Sequence, residues 1–335
     1  MLSEFAFTPA IFDEAAHDDK EAWGEQLREL TSAIFPRTSV GPVVISDLYA
    51  GSWSQHIVSY IEKISDHRAR KYCQSLLTNM HRMLVKRPVC GVWPGEDDVA
   101  WCREAIATHA VEPIDRIISV RKTKDSQNEN FSIVRCIDEV EDGGFWRGIN
   151  ADASPRMVIA EQVNLLRKLC LHSDWIAVIN AHGFTSEQDF SLHLLEVAFR
   201  RPPGFDPIHV ELHAEAPYVS DVVERKVRQE RVALNMARNI ERSLKAPHKV
   251  DLCFWPKLLD RVIVAGNFAK ESDGTIRKRP RWGVSMNHVA RGSEPNIPPT
   301  EWKLLRAESL NDWFRKFVAE DAAGKSPAIN VNTRR

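Results

Sequence analysis

The chain has 335 residues, of which 43% are hydrophobic and 27% charged, and its formal net charge is −1. That length suits two domains of ordinary size, and the composition can bury a core. Near-zero charge excludes a global attraction to nucleic acid or anionic lipid, so any such binding must use a local basic patch. No run of about 18 apolar residues is present, which excludes a transmembrane helix and predicts no membrane partner. The acidic start, MLSEFAFTPAIFDEAAHDD, lacks the basic and apolar regions of a signal peptide. The six cysteines (Cys73, Cys90, Cys102, Cys136, Cys170 and Cys253) form no C-x-x-C pair. They read as reduced core thiols of a cytoplasmic protein.

In chain order, KEAWGEQLRELTSAIF predicts a helix, and Pro36 to Pro42 a break. VVISDLY (Val43–Tyr49) predicts a strand, with Ala50-Gly51-Ser52 turning into a helix near Trp53–Ile64. Ser65-Asp66 suits the cap of a helix over His67–Lys86, stopped by Pro88. Cys90–Gly95 reads as a buried strand, and Asp97–Ala110 as a helix with acids in its first turn. IDRIISVRKT and FSIVRCIDEV read as two strands around a polar loop. Gly143–Pro155, rich in small and turn residues, is the best domain boundary. Residues 1–150 are therefore expected to form a smaller α/β domain whose role the sequence leaves open.

Beyond Ser154-Pro155 a helix is predicted with Ile159, Val163, Leu166 and Cys170 on one stripe. Asp174–Gly183 reads as a strand, and Ser186–Arg201 as a helix with Ser186 and Asp189 placed like a capping box. Ile208–Glu215 reads as a strand. A long helix follows to about Leu244, with Val223, Val227, Leu234, Ala237 and Leu244 inward. Asp251–Trp255, Arg261–Ala265 and Trp282–Met286 are β-branched or apolar between breakers and read as strands. Glu301–Glu320 reads as a helix, and 323–335 as a flexible tail. Residues 151–322 are thus expected to be an α/β domain with a mixed sheet flanked by helices.

The run DLCFWPKLLDRVIVAGNFAKESDGTIRKRPRWGVSMN (Asp251–Asn287) places Asp-Arg before one strand and Ser-x-Asn at the end of the next. This order resembles the C-terminal half of a phospholipase D-like domain. It is most similar to the diverged branch that reads His-Asp-Arg and includes the C-terminal domain of MIT-domain proteins. The resemblance covers about residues 155–320. It implies a crevice in which Arg261, with Asp260, faces Ser285 and Asn287 around a phosphate. Arginine suits that task as a permanently charged clamp. The triplet here is Leu259-Asp260-Arg261, so the histidine that would attack a phosphodiester is missing. Diverged domains of this kind also occur beside bacterial antiviral defence genes.

Lys270, Arg277, Lys278, Arg279, Arg281 and Arg291 surround Trp282 and read as a basic loop that can hold a nucleic-acid backbone and stack a base. The plainer reading is a solvated loop. The long helix adds Arg225, Lys226, Arg228, Arg231, Arg238 and Arg242, offset by Glu224, Glu230 and Glu241. His209, Glu211, His213 and Glu215 alternate along one strand and point to one face. Two neighbours of that ladder can share a metal or a proton, whereas the plainer reading is a polar sheet face. Asp47 ends a strand, where α/β domains build sites. Nucleotide-triphosphatase, dinucleotide-binding, serine-hydrolase and zincin motifs are absent from the sequence. The expectation is a pseudoenzyme without a cofactor. It would bind phosphate or nucleic acid through Asp260, Arg261, Ser285, Asn287, Arg277, Lys278, Arg279, Arg281 and Trp282, and serve beside a protein partner as a complex subunit. The alternative is a working phosphodiesterase or nuclease that uses His288, His213 or His209, or a metal. A third option is a purely structural subunit.

Overall fold

The structure, a computed structural model, describes residues 1–17, 19–35, 43–126, 132–139, 152–216, 221–244, 249–292, 296–319, 322 and 329–332. It is an α/β protein that divides into two units. One holds Leu2–Asn150 with Pro202–Phe205; the other holds Ala151–Arg201 and Asp206–Arg335 with Met1. The predicted boundary at Gly143–Pro155 falls largely outside the described residues.

The N-terminal unit is built on five parallel strands: β1 (Ser3–Phe7), β2 (Val43–Asp47), β3 (Leu84–Lys86), β4 (Arg116–Ser119) and β5 (Val134–Cys136). Their order is β3-β2-β1-β4-β5. Both faces are covered by helices, so β1 and β2 are buried along their whole length and read as continuous runs. The helices are α1 (Lys20–Ile34), α2 (Leu48–Lys63), α3 (His67–Met80), α4 (Asp98–Val111) and α5 (Arg121–Asp125). Phe5, Phe7, Phe12, Trp53, Trp101 and Ile117 lie in the core.

Two expectations for this unit are corrected. Leu84–Lys86, predicted as the end of a helix, is β3, while Cys90–Gly95, predicted as a strand, forms none. Helix α3 stops at Met80, and β-branched Val85 supplies the buried residue of the edge strand. RKTKD, placed at a strand end, forms α5 instead.

The central strand carries Glu4 with no exposure at all. Its carboxylate accepts Arg87 Nε at 2.7 Å, Arg87 Nη2 at 2.6 Å and Ser46 Oγ at 2.7 Å. A buried charge survives only when paired and hydrogen-bonded, and this bidentate fork satisfies both conditions.

The C-terminal unit contains a mixed seven-stranded sheet of order β11-β10-β9-β6-β7-β8-β12. The strands are β6 (Trp175–Asn180), β7 (His209–Glu215), β8 (Lys249–Trp255), β9 (Arg261–Lys270), β10 (Ile276–Met286), β11 (Trp302–Leu304) and β12 (Ile329–Asn332). Strands β6, β7 and β8 are parallel, and the remaining pairings are antiparallel. Helices α6 (Ile159–Leu165), α7 (Arg167–Leu171), α8 (Gln188–Phe199), α9 (Val222–Ser243) and α10 (Ala307–Trp313) complete the unit. A π-helical turn, Phe314–Val318, extends α10.

One sheet face packs Trp175, Ala177, Ile179, Val262 and Val264 against Leu310, Phe317 and Val318 of α10 and its π turn. The other face meets α8, where Phe190 lies edge-on to Trp302 at 6.2 Å. We call these the α10 face and the α8 face.

Four details of this unit differ from expectation. Trp302–Leu304 is a strand, because Trp302 fills the α8-face core and its Nε1 donates to His288 O at 3.0 Å. Helix α8 starts after Glu187 without a side-chain cap, so Ser186 and Asp189 form no capping box. Helix α9 buries Ala233, Met236 and Ile240, whereas Val223, Val227 and Leu234 are exposed. Part of the expected flexible tail is β12: Val331 pairs with Val250 and is buried, while 323–328 and 333–335 lie outside the described residues. No described helix is long and apolar enough to cross a membrane.

Replacing Arg87 by Met is expected to destabilise the protein by about 3–5 kcal/mol, because buried Glu4 then loses its two-pronged guanidinium partner. Adding Glu4→Leu should recover most of that loss. Urea unfolding of the wild type and both variants checks this. A double variant no more stable than the single one contradicts it.

Candidate functional site

Strand register decides which predicted residues can meet. Ser285 lies opposite Val262, so it shares the α10 face. Arg261 lies opposite Asn180, and alternation turns it to the α8 face with Ile263 and Ala265. Ser285 and Arg261 therefore point to opposite sides of the sheet.

Arg261 is held by Glu187 in a two-pronged pair, Nε to Oε2 at 3.2 Å and Nη2 to Oε1 at 2.9 Å. Glu187 is buried at the start of α8, and Arg291 Nε approaches the same carboxylate at 4.0 Å. Asp260 takes the other side and pairs with Lys316 at 3.4 Å. Ser285 Oγ donates to Lys303 O at 3.4 Å, Asn287 is exposed beyond the strand end, and Leu259 is 70% exposed. The expected phosphate crevice is thus not assembled from these residues; Asp260 and Arg261 tie the sheet to its two covering layers instead.

The predicted basic loop is a hairpin. Arg277, Lys278 and Arg279 pair in register with Ala269, Phe268 and Asn267, and the turn is only Glu271–Thr275. Strand β6 accompanies β9 only as far as Gly266, so Asn267–Lys270 and Ile276–Arg279 continue as a two-stranded arm. A bulge between Pro280 and Trp282 bends the arm. Only glycine fits at 266, because a Cβ there would lie 1.9 Å from Arg279 O.

The bend carries Lys278 over the α10 face. Its Nζ sits 5.5 Å from the Trp175 ring centre and 2.7 Å from Glu211 Oε1. Neighbouring Arg277 and Arg279 take the opposite side of the arm, where both are exposed and Arg279 pairs with Glu271 at 2.6 Å. Arg281 lies 4.5 Å over the ring of Trp282. Burial pulls its guanidinium down to about 10, with Asp174 opposing. Phe268 and Ile276 are exposed on the same arm.

The alternating ladder on β7 is a connected network. His209 Nε2 donates to Asp251 Oδ2 at 2.7 Å on neighbouring β8. Trp255 Nε1 donates to His213 Nδ1 at 3.0 Å, which leaves the proton on His213 Nε2 to face Glu211 Oε2 at 3.3 Å. The sequence showed the ladder on β7 but missed Asp251, Trp255 and Lys278 as its partners. Only the register pairs Glu211 with Asp251 and His213 with Cys253.

The N-terminal unit has a crevice of about 850 Å³ lined by Asp13, His17, Asp98, Arg121 and Asp138, among others. It adjoins the carboxyl ends of β1 and β4, where the strand order reverses and α/β sheets collect ligands. Several of its acids serve as structural caps. Asp98 accepts Ala10 N at 2.7 Å and Thr123 Oγ1 at 2.6 Å, and burial raises its carboxyl above the usual range. Asp47 is likewise buried and accepts both Ser54 N and Ser54 Oγ at 2.9 Å. The turn after it runs through Tyr49, Ala50 and Gly51 in the left-handed region, and Ala50 N is fixed to Arg87 O at 2.8 Å.

None of the six cysteines forms a disulfide. Burial pushes Cys73, Cys102, Cys136 and Cys170 to about 12, so these four are inert core thiols at neutral pH.

Replacing Arg261 by Met is expected to cost about 3 kcal/mol or more in urea unfolding, since buried Glu187 then keeps, among the described residues, only the 4.0 Å approach of Arg291. A variant of unchanged stability whose anion binding has fallen would show the arginine to be a ligand clamp instead. No known protein family matches the chain, and no curated protein does.

Proposed function

We propose that the C-terminal unit is a diverged phospholipase D-like domain that binds nucleic acid through the β9–β10 arm and does not hydrolyse it by the histidine route. One observation carries this reading. The arm from Asn267 to Arg281 holds five cations against two acids, in a chain whose net charge is −1. Local positive charge of this kind is what a phosphate backbone selects. A two-stranded ribbon fits a nucleic-acid groove, and Arg277 and Arg279 occupy its outward side. Exposed Phe268, on the Lys278 side of the arm, adds a surface on which a base can stack, whereas Trp282 is buried. The mixed sheet between helices agrees with the resemblance. Leu259 supplies no nucleophile, and the pairing of Arg261 with Glu187 gives that arginine a structural task. Helix α9 adds little to the arm, because its arginines alternate with glutamates, as in the 2.7 Å pair of Arg228 with Glu224.

Fluorescence anisotropy with labelled single-stranded and duplex oligonucleotides tests this reading. Affinity should fall steeply as salt rises. Reversing Arg277 and Arg279 to Glu should weaken binding about tenfold or more and lower the salt slope by roughly two. Binding insensitive to both salt and the reversal would place the contact elsewhere and sink the proposal.

A further inference from the structure

We propose that His209, Glu211 and Asp251 form a divalent-cation site on the α10 face of the C-terminal sheet, for a first-row ion of the Mn²⁺ or Zn²⁺ class. Each offers one ligand atom, and the three atoms all lie within 4.8 Å of one another. They come from adjacent parallel strands whose register sets Glu211 beside Asp251, so the backbone pre-positions the set. One imidazole nitrogen and two carboxylates are a donor set shared by manganese, iron and zinc sites.

Two observations beyond the cluster point to a cation. Asp251 Oδ1 is buried with no hydrogen-bond partner, although the residue is only 8% exposed. A buried carboxylate oxygen without a donor is costly, and a metal bond would satisfy it. Lys278 also reaches back from the bent arm to place its ammonium 2.7 Å from Glu211 Oε1. That ammonium already occupies a cation position against the ligand set.

The surroundings supply the outer contacts that metal ligands need. Trp255 fixes the tautomer of His213, and His213 then orients Glu211 from the side away from Lys278. When a divalent ion enters, His209 changes tautomer, its proton moving from Nε2 to Nδ1 so that the Nε2 lone pair can face the ion. The ion replaces the His209–Asp251 hydrogen bond, and Lys278 swings off Glu211. The site is thus a competition between an internal ammonium and an external cation. It does not depend on nucleic-acid binding by the outward side of the arm.

The test is titration of the chelator-treated full chain with Mn²⁺, reading the electron paramagnetic resonance signal of the free ion. Mn²⁺ is chosen because it largely ignores thiols, so the cysteines do not compete. Wild-type protein should bind a stoichiometric ion that is lost in Asp251→Asn and weakened about tenfold or more in His209→Gln. Both variants are close in shape to the native side chain. Circular dichroism identifies a variant that fails to fold, in which case the other decides. Lys278→Met should bind Mn²⁺ several-fold more tightly, since the competing ammonium is gone. Absence of binding at millimolar Mn²⁺ overturns the site. So does binding that survives both ligand variants, which would put the ion elsewhere, for example in the acidic crevice of the N-terminal unit. A Lys278→Met affinity equal to wild type overturns the shared use of Glu211.

Discussion

The C-terminal unit depends on the register of β9. Strand alternation sends Val262 and Val264 into the layer of Leu310 and Phe317, and turns Arg261, Ile263 and Ala265 toward α8. A slip of one residue would exchange the two sets and bring Arg261 into an apolar core. The ion pairs at the start of the strand reinforce the register from both sides. Asp260 fastens to Lys316 of the π turn, and Arg261 to Glu187 at the head of α8. Two adjacent charges in the sequence thus clamp opposite layers. The same alternation keeps Arg261 away from Ser285, so a phosphate cradle from those two residues would require a different fold of this strand.

Neutralisation inside the protein governs what the basic residues can do. Arg261 answers Glu187, Lys278 answers Glu211 and Arg279 answers Glu271. Of these, only Arg279 sits where solvent weakens the pair, so its partner is readily exchanged for a phosphate. The Lys278 pair is shielded by Trp175 and by the arm itself, which raises the worth of the contact and ties the arm to the sheet. The bend at Gly266 and the bulge before Trp282 are therefore conditions for both sides of the arm. They turn Lys278 inward over the ladder and leave Arg277 and Arg279 outward.

Much of the architecture was legible because its signals are local. Runs with strand character between breakers marked β6, β7, β8, the first half of β9 and the last part of β10, and acids in its first turn marked α4. What failed was non-local. The apolar residues of α9 do not reveal which stripe is buried. Ala233, Met236 and Ile240 are buried while β-branched Val223 and Val227 stay outside. Trp302 and Ile329 become strand residues because edges of the mixed sheet are open to them, not because their own segments are rich in strand formers. The basic run between Lys270 and Arg281 looked like a loop because its charges masked a hairpin whose register is fixed by a turn at Gly274.

The candidate site shows the same division more sharply. The period of β7 placed His209, Glu211 and His213 on one face, and that much was readable from spacing alone. Asp251 is 40 residues further along, and Lys278 lies 27 beyond that; only parallel pairing with β8 and the curl of the arm bring them to the ladder. A sheet face under α10 would ordinarily be apolar, as it is around Trp175, Ala177 and Ile179. Toward β7 and β8 the face instead carries the imidazoles of His209 and His213, the carboxylates of Glu211 and Asp251 and the ammonium of Lys278, each desolvated at a cost that an apolar set would avoid. Their hydrogen bonds offset that cost for every member except one oxygen of Asp251. A network that is complete but for one buried acceptor, and whose cation is a flexible lysine, is better suited to admitting a further cation than to stabilising the sheet by itself.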